Sequence, residues 1–154
     1  MINKGMMSSN KSDWETPQDF FDKLNWGIQF TLDVCATKDN TKCERFYSPE
    51  IDGLKQSWKG EKCWMNPPYG REIGKWVKKA SDECYVNGVL TVALLPARTD
   101  TKWFHEYIYN NSLAEIRFIK GRLKFINRSL PSWREDGKLK VSSAPFPSMI
   151  VIWR

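Results

Sequence analysis

The 154-residue sequence lacks any apolar run of the roughly 18 residues that are needed to span a bilayer. Residues 1–12 also lack the apolar stretch of a secretory signal peptide, and no internal repeat or low-complexity tract occurs. We therefore expect neither a membrane-spanning nor a secreted protein, but a soluble protein of the cytoplasm.

Side chains that commonly bind zinc are also scarce. His105 is the only histidine, and the four cysteines, Cys35, Cys43, Cys63 and Cys84, form no C-x-x-C pair. A zinc site of the usual kind has too few ligands here, and we predict no metal. The cysteines are interpreted as buried thiols of a reducing compartment, and His105 as a structural residue of a helix.

The length of the chain corresponds to about one domain. Hydrophobic residues make up 41% of the sequence and aromatic residues 14%, which is enough to bury a core. We predict a flexible tail over residues 1–12 and a single domain over residues 13–154. The net charge of +6 and the pI near 9.2 favour a polyanionic partner, although a solvated basic surface is the alternative interpretation.

Apolar periodicity predicts an α/β fold with a mostly parallel sheet. Strands are predicted at 30–36, 62–66, 89–97, 115–125 and 149–153, the fourth with a bend or bulge at Gly121. Helices are predicted after Thr16-Pro17, from 73 to a stop at Gly88, and over 101–109. We expect Thr16 to cap the first helix, and the last two strands to pair antiparallel at the sheet edge. Residues 37–61 hold no predicted strand, and residues 127–148 are predicted to form a long basic loop.

The sharpest local signal is the tetrapeptide Asn66-Pro67-Pro68-Tyr69, which directly follows a predicted buried strand. Open α/β sheets bind ligands outside the carboxyl ends of their strands, so this position favours a functional site. The alternative is a proline-rich turn with a packed aromatic residue beside it.

The tetrapeptide suits methylation of a delocalised nitrogen. An amine conjugated to a purine, or a carboxamide nitrogen, is a poor nucleophile because its lone pair is delocalised. The Asn66 side-chain oxygen and the Pro67 carbonyl can each accept one N–H and stabilise the positive charge that develops on attack. The two prolines hold the carbonyl direction, and Tyr69 offers a flat face on which a planar group can stack.

The sequence resembles the phage and prophage Dam-type DNA N6-adenine methyltransferases in separated blocks between Trp14 and Arg154. The blocks are W-E-T-P at 14–17, F-T-L-D-V-C-A at 30–36, D-G-L-K-Q-S-W at 52–58, N-P-P-Y-G at 66–70, L-L-P-A-R-T-D at 94–100, G-R-L-K-F at 121–125 and S-A-P-F-P-S at 143–148. The resemblance implies a compact Rossmann-like class I fold and methyl transfer from S-adenosylmethionine to adenine N6. The acceptor would be an adenine flipped out of duplex DNA.

The resemblance also implies roles for individual residues. It makes Asn66, Pro67, Pro68 and Tyr69 the catalytic motif, and it places Thr16, Pro17 and Asp33 near the methionine part of the cofactor. Asp52 is either a further cofactor contact or a turn residue, and Trp58 and Trp64 are expected in the core. The sequence departs from the usual fold because no glycine follows the first strand in residues 34–37. The short spacing from Asp33 to Asn66 implies that the second and third strands of the usual sheet are short or absent.

Duplex DNA is the implied partner, and no obligate protein partner is evident. Basic residues are expected to contact its phosphates; they are Arg98, Lys102, Lys120, Arg122, Lys124, Arg128, Arg134, Lys138 and Lys140. A further hypothesis is that residues 127–148 become ordered on DNA and contribute to base readout, the alternative being a mobile surface loop. Protection of phage DNA from restriction, in the host cytoplasm, is an expectation at the level of the family.

Two other functions stay open on the sequence alone. Similar N-P-P-Y sites methylate glutamine side chains in proteins, because a carboxamide poses the same lone-pair problem. Alternatively, the chain is a catalytically silent DNA-binding protein that keeps the basic surface, which the missing glycines favour and the intact Asn66 and Tyr69 oppose.

Overall fold

The protein is described here by a computed structural model that covers residues 14–126 and 141–154. Its helices are α1 (Gln18–Ile28), α2 (Ile73–Asn87) and α3 (Lys102–Phe104), and its strands are β1 (Leu32–Asp33), β2 (Lys62–Met65), β3 (Leu90–Pro96), β4 (Ala114–Phe118), β5 (Lys124–Ile126), β6 (Val141–Ser143) and β7 (Ser148–Trp153). A 3-10 turn spans Gly53–Lys55, and a π-helical turn, His105–Tyr109, follows α3 directly. Within these ranges no helix is long and apolar enough to cross a bilayer.

A five-stranded mixed sheet in the order β1-β2-β3-β7-β4 forms the centre of the fold, which confirms the α/β prediction. Strands β1, β2 and β3 are parallel, whereas β7 is antiparallel to both of its neighbours. The antiparallel pairing of the last two predicted strands is therefore confirmed.

The prediction that the C-terminal strand lies at the sheet edge is wrong. Strand β7 lies between β3 and β4, and all six of its residues are buried. A strand that is covered on both faces must be apolar on both faces, as the run Met149–Trp153 is. The strand at this edge of the sheet is β4. Its residues Arg117 and Phe118 are exposed, because an edge strand need not be apolar on both faces.

The prediction of one strand over 115–125 is also wrong, because the bend expected at Gly121 divides it into two strands of different sheets. Gly121 has a positive φ of 76° and separates β4 from β5. Strand β5 leaves the main sheet and pairs antiparallel with β6, which lies inside the segment predicted to be a loop. The hairpin partner could not be read from the sequence because residues 127–148 show no alternating apolar pattern.

The predicted helices lie where the pattern placed them, although their ends differ in detail. Gly88 ends α2 in the left-handed conformation, as predicted. Thr16 does not cap α1: Pro17 occupies the N-cap position and no side chain caps the helix. Thr101 caps α3 by accepting a hydrogen bond from the Phe104 N–H at 3.2 Å.

The core is rich in aromatic side chains, and Trp58 and Trp64 are buried in it as expected. The prediction of buried thiols is confirmed for Cys63 and Cys84, whereas Cys35 and Cys43 are half-buried; all four are free. Burial is the main cause that raises the pKa of Cys35 and of Cys43 to about 12, so both thiols stay protonated at neutral pH. The exposed His105 places Nε2 2.7 Å from the Thr99 carbonyl oxygen, which agrees with a structural role.

Gly53 marks a close approach between the 3-10 turn and the sheet, and it generates a stability prediction. An added Cβ would overlap the carbonyl oxygen of Val34 and lie 3.2 Å from the Trp76 ring. We expect Gly53→Ala to lower the free energy of unfolding by about 3 kcal/mol, because backbone must move to relieve the overlap. Urea denaturation measures the change.

Gly27 is the matched control, since it is exposed near the end of α1 and an added Cβ meets nothing within 4 Å. Gly27→Ala should raise stability by about 0.5–1 kcal/mol through helix propensity. Equal effects of the two substitutions would contradict the role assigned to Gly53.

Candidate active site

A cavity of about 470 Å³ opens at the carboxyl ends of β1 and β2. Parallel neighbours end at the same sheet edge, so the residues at the end of β1 and directly after β2 come together there. The predicted site residues that line the cavity are Thr16, Asp33, Asp52, Asn66 and Pro68. Pro17, Pro67 and Tyr69 do not belong to its lining.

The carboxamide of Asn66 is held in one orientation. Its Nδ2 donates to the backbone carbonyl of Trp14 at 2.7 Å and to Thr16 Oγ1 at 3.0 Å. Because the Trp14 carbonyl can only accept a hydrogen bond, the NH₂ group must face it and Oδ1 must face away. Asn66 Oδ1 is buried and has no hydrogen-bond partner among the described residues.

An unpaired buried acceptor of this kind costs about 1–3 kcal/mol unless something donates to it. Because Asn66 also lines the cavity, a ligand there that carries an N–H group can supply the missing donor. The arrangement is therefore suited to recognising an amine.

The backbone that holds Asn66 is itself anchored to the β5–β6 hairpin. The Glu15 N–H donates to the Ile126 carbonyl at 3.1 Å, and the Ile126 N–H donates back to the Glu15 carbonyl at 3.0 Å. The Trp14 ring packs edge to face against Phe125 and Phe146, each with 5.5 Å between ring centroids. The segment 14–16 is thus wedged between the hairpin and the turn that carries the motif.

Tyr69 is enclosed, contrary to the open stacking face that the sequence predicted. Its side chain is buried, and its hydroxyl donates to the Leu94 carbonyl at 2.8 Å. The ring packs edge to face against Phe146 and Phe125, with centroid separations of 5.5 and 6.3 Å. Burial also raises the pKa of Tyr69, so the hydroxyl remains neutral.

A second cavity, of about 430 Å³, lies on the other side of Trp14. Its lining consists of Trp14, Tyr69, Gly70, Arg71, Arg98, Pro145 and Phe146, so Trp14 borders both cavities. Arg98 was expected at a DNA contact, whereas Arg71 was missed. The sequence did contain a signal for Arg71, because this residue follows the Asn66–Tyr69 motif by two positions and lies in the same turn.

Asp33 is buried at the wall of the first cavity. Its carboxylate accepts the Lys42 N–H at 3.0 Å and the Cys35 N–H at 3.3 Å. Burial raises the pKa of Asp33 to about 7, against the opposing effect of those hydrogen bonds. The group is therefore close to half ionised at neutral pH, and a cation in the cavity would favour its charged form.

Asp52 is a turn residue, which is one of the two roles that the sequence left open. Its side chain accepts the Leu54 N–H at 3.1 Å and so closes the 3-10 turn, and the residue also lines the cavity. Its positive φ of 61° is uncommon for a residue other than glycine.

Sequence reasoning missed part of the polar wall of the cavity. Lys42 and Glu15 line it together, with 3.8 Å between Nζ and Oε1, and both side chains are nearly buried. Glu15 lies within the W-E-T-P block, which was a usable signal. Lys42 comes from a polar loop with no pattern, so only the fold brings it to the site.

The basic residues expected to contact DNA are exposed wherever the structure describes them. These are Arg98, Lys102, Lys120, Arg122 and Lys124. Lys102 lies 3.6 Å from Glu106 and is thus partly neutralised. Arg128, Arg134, Lys138 and Lys140 lie outside the described residues, as does most of the segment 127–148 to which base readout was assigned.

Comparison with known proteins identifies the family of the chain. The family model described as "Dam: DNA N-6-adenine-methyltransferase (Dam)" matches residues 4–154. The chain is 35% identical over 130 residues to the DNA N-6-adenine-methyltransferase of Haemophilus phage HP1, covering 82% of this chain and 73% of that protein. It is 39% identical over 112 residues to the enzyme of the same name from Escherichia phage T1, covering 71% of this chain and 45% of that protein.

The family model extends over nearly the whole chain, and both relatives are named for adenine rather than for a protein side chain. These names decide between the acceptors that the sequence alone left open, in favour of adenine N6. The chain belongs to the Dam family of DNA N6-adenine methyltransferases.

Proposed function

We propose that the first cavity binds S-adenosylmethionine and that Asn66 presents its free oxygen to the N6 amine of an adenine flipped out of duplex DNA. The observation that carries the proposal is the buried, unpartnered Asn66 Oδ1 at the cavity wall. An adenine amine has two N–H donors, one of which would satisfy this oxygen.

The residues of the cavity fit this cofactor in charge and shape. S-adenosylmethionine carries a sulfonium and an ammonium group beside one carboxylate, and the wall offers the acidic side chains of Glu15, Asp33, Asp52 and Glu72. The Trp14, Tyr47, Trp64 and Trp76 rings supply apolar surface for a purine, and 470 Å³ is an ordinary volume for a small-molecule site. When bound, the cofactor supplies an electrophilic methyl carbon attached to positively charged sulfur.

The sheet also suits a shortened Rossmann-like methyltransferase. The usual doubly wound order places the second and third strands outside the first. In the described residues no full strand lies beyond β1, and only an isolated parallel bridge joins Asp33 to Phe46 on that side. The cavity nevertheless lies at the carboxyl ends of parallel strands, where such folds bind their ligands.

The chemistry assigned to the chain is positioning and charge stabilisation. Asn66 Oδ1 and the Pro67 carbonyl each accept an N–H of the adenine amine, which localises the nitrogen lone pair. The same oxygens stabilise the positive charge that grows on nitrogen during attack, so no strong base is required. Hydrogen-bonding groups placed in this way are worth on the order of 10² to 10³ in rate.

The second cavity is the side from which the adenine would arrive. It reaches the Tyr69 ring, and the two exposed guanidinium groups of Arg71 and Arg98 stand at its wall, where backbone phosphates would lie. Because Phe146 packs on Tyr69, an adenine can stack on that ring only after Phe146 has moved aside. Flipping the base costs roughly a few kcal/mol, which phosphate contacts would offset.

Loss of the Asn66 oxygen is the direct test of the proposed function. Wild-type protein, incubated with labelled S-adenosylmethionine and mixed-sequence DNA, should yield N6-methyladenine after digestion to nucleosides. Asn66→Ala should retain DNA affinity, while its single-turnover rate falls by about two orders of magnitude or more because both hydrogen-bond acceptance and orientation are lost. Near-wild-type turnover in this variant, or label in a product other than N6-methyladenine, would overturn the assignment.

Cofactor affinity should depend on pH through Asp33. Its carboxyl, with a pKa raised by burial to about 7, is mostly ionised at pH 8 and mostly protonated at pH 6. Since only the ionised form attracts the cofactor's ammonium group, the dissociation constant should rise about tenfold from pH 8 to pH 6. Isothermal titration calorimetry at several pH values measures this.

Asp33→Asn is the control for that measurement, because the residual pH dependence of this variant reports the titration of the ligand itself. The variant should bind more weakly at pH 8 and lose the tenfold change. An identical pH profile in both proteins would exclude Asp33 as the cofactor's partner.

Arg71 and Arg98 should each contribute one phosphate contact. Substituting either by Ala should weaken DNA binding and reduce the slope of log affinity against log salt by about one, since one fewer counterion is released. Fluorescence anisotropy over a salt series measures both quantities. Lys78→Ala is the matched control, because Lys78 is exposed on α2, lies outside both cavities and pairs with Asp82 at 2.5 Å. The same slope for all three variants would count against the cavity as the DNA-facing side.

A further inference from the structure

The carboxamide of Asn66 depends on a residue 50 positions away in the chain. Thr16 is almost fully buried, and its Oγ1 accepts one of the two Nδ2 protons of Asn66 at 3.0 Å. The Trp14 carbonyl accepts the other proton at 2.7 Å. Both N–H donors of the amide are thereby satisfied, and Oδ1 is left as the one free group of the side chain.

We propose that Thr16, which also lines the first cavity, is a positioning residue for methyl transfer and holds the Asn66 oxygen toward the reacting amine. The proposal rests on the proposed function of Asn66. It is a role beyond the cofactor contact that the sequence resemblance implied for Thr16.

A carboxamide has two orientations of nearly equal shape, which differ by a half-turn that exchanges oxygen and nitrogen. In the exchanged orientation Asn66 would direct its oxygen at the Trp14 carbonyl, and its NH₂ group would face the N–H of the substrate. The first contact places an acceptor against an acceptor and the second a donor against a donor, so both are repulsive. The Trp14 carbonyl therefore selects the orientation that is productive for catalysis, and the hydrogen bond to Thr16 Oγ1 holds the carboxamide in place once it is in that orientation.

Thr16 is well suited to this task because its hydroxyl has no other structural duty among the described residues. It does not cap α1, since Pro17 takes the N-cap position and no side chain caps the helix. Pro17 also restricts the Thr16 backbone to extended conformations, which limits the positions that the Thr16 side chain can reach. The two backbone hydrogen bonds between Glu15 and Ile126 fix the preceding residue.

Thr16→Val tests the proposal, because valine keeps the branched shape and removes the hydroxyl. One Asn66 N–H then loses its acceptor in the productive orientation, so the single-turnover rate should fall about tenfold. The dissociation constant for S-adenosylmethionine, from calorimetry, should change less than twofold. Thr16→Ser restores an acceptor and should recover most of the rate.

The opposite pattern would overturn the proposal. If Thr16→Val raises the dissociation constant for the cofactor and leaves the single-turnover rate unchanged, then Thr16 contacts the cofactor. Thermal unfolding of each variant shows whether it is folded, and Thr16→Ala provides a smaller substitution of the same kind if the valine variant is unstable.

A double-mutant cycle with Asn66→Ala separates action through Asn66 from an independent effect. If Thr16 acts by positioning the carboxamide, Thr16→Val should not lower the residual rate of Asn66→Ala any further. A tenfold loss in both backgrounds would show that Thr16 works independently of Asn66. The proposed function fails separately, namely when Asn66→Ala alone keeps wild-type turnover.

Discussion

The hydrogen bonds from Asn66 Nδ2 to the Trp14 carbonyl and to Thr16 Oγ1 are the interaction on which the proposed active site depends. They determine which end of a nearly symmetric amide faces the cavity, and they leave Oδ1 buried without a partner. A polar atom in that state is costly in a folded protein, so its presence indicates a site preorganised for a ligand. The Dam-family assignment supplies the ligand that fits, an adenine amine.

The fold places this interaction between two cavities with different linings. The carboxyl ends of β1 and β2 bring Asp33 and Asn66 to an acidic, aromatic cavity, while Tyr69, Arg71 and Arg98 border a second one. Trp14 is common to both. A donor of a positively charged methyl group and an acceptor carried by a polyanion need opposite electrostatic surroundings. The proposed site would meet both demands, because acidic residues line the first cavity and arginines line the second.

Local sequence signals predicted the parts of this structure that depend on neighbours in the chain. The helix that Gly88 ends and the strand before Asn66 both follow from periodicity and turn chemistry. The rest depends on contacts between distant segments. The interior place of β7, the pairing of β5 with β6, and the hydrogen bond from Asn66 to Thr16 are set by tertiary packing, which no local pattern encodes. The prediction that Thr16 caps α1 is wrong for the same reason.

Trp14 explains how the second cavity can open without disturbing Asn66. Its ring belongs to the aromatic cluster with Phe125 and Phe146, whereas its carbonyl holds the Asn66 amide. Displacement of Phe146 by an incoming base removes one contact from the ring, but the neighbouring Glu15 stays tied to β5 through two backbone hydrogen bonds. Side chains rearrange readily, while a paired backbone does not. We therefore expect the ring of Trp14 to move with the substrate and its carbonyl to stay in place, so that the Asn66 oxygen keeps its direction while the cavity beside it opens.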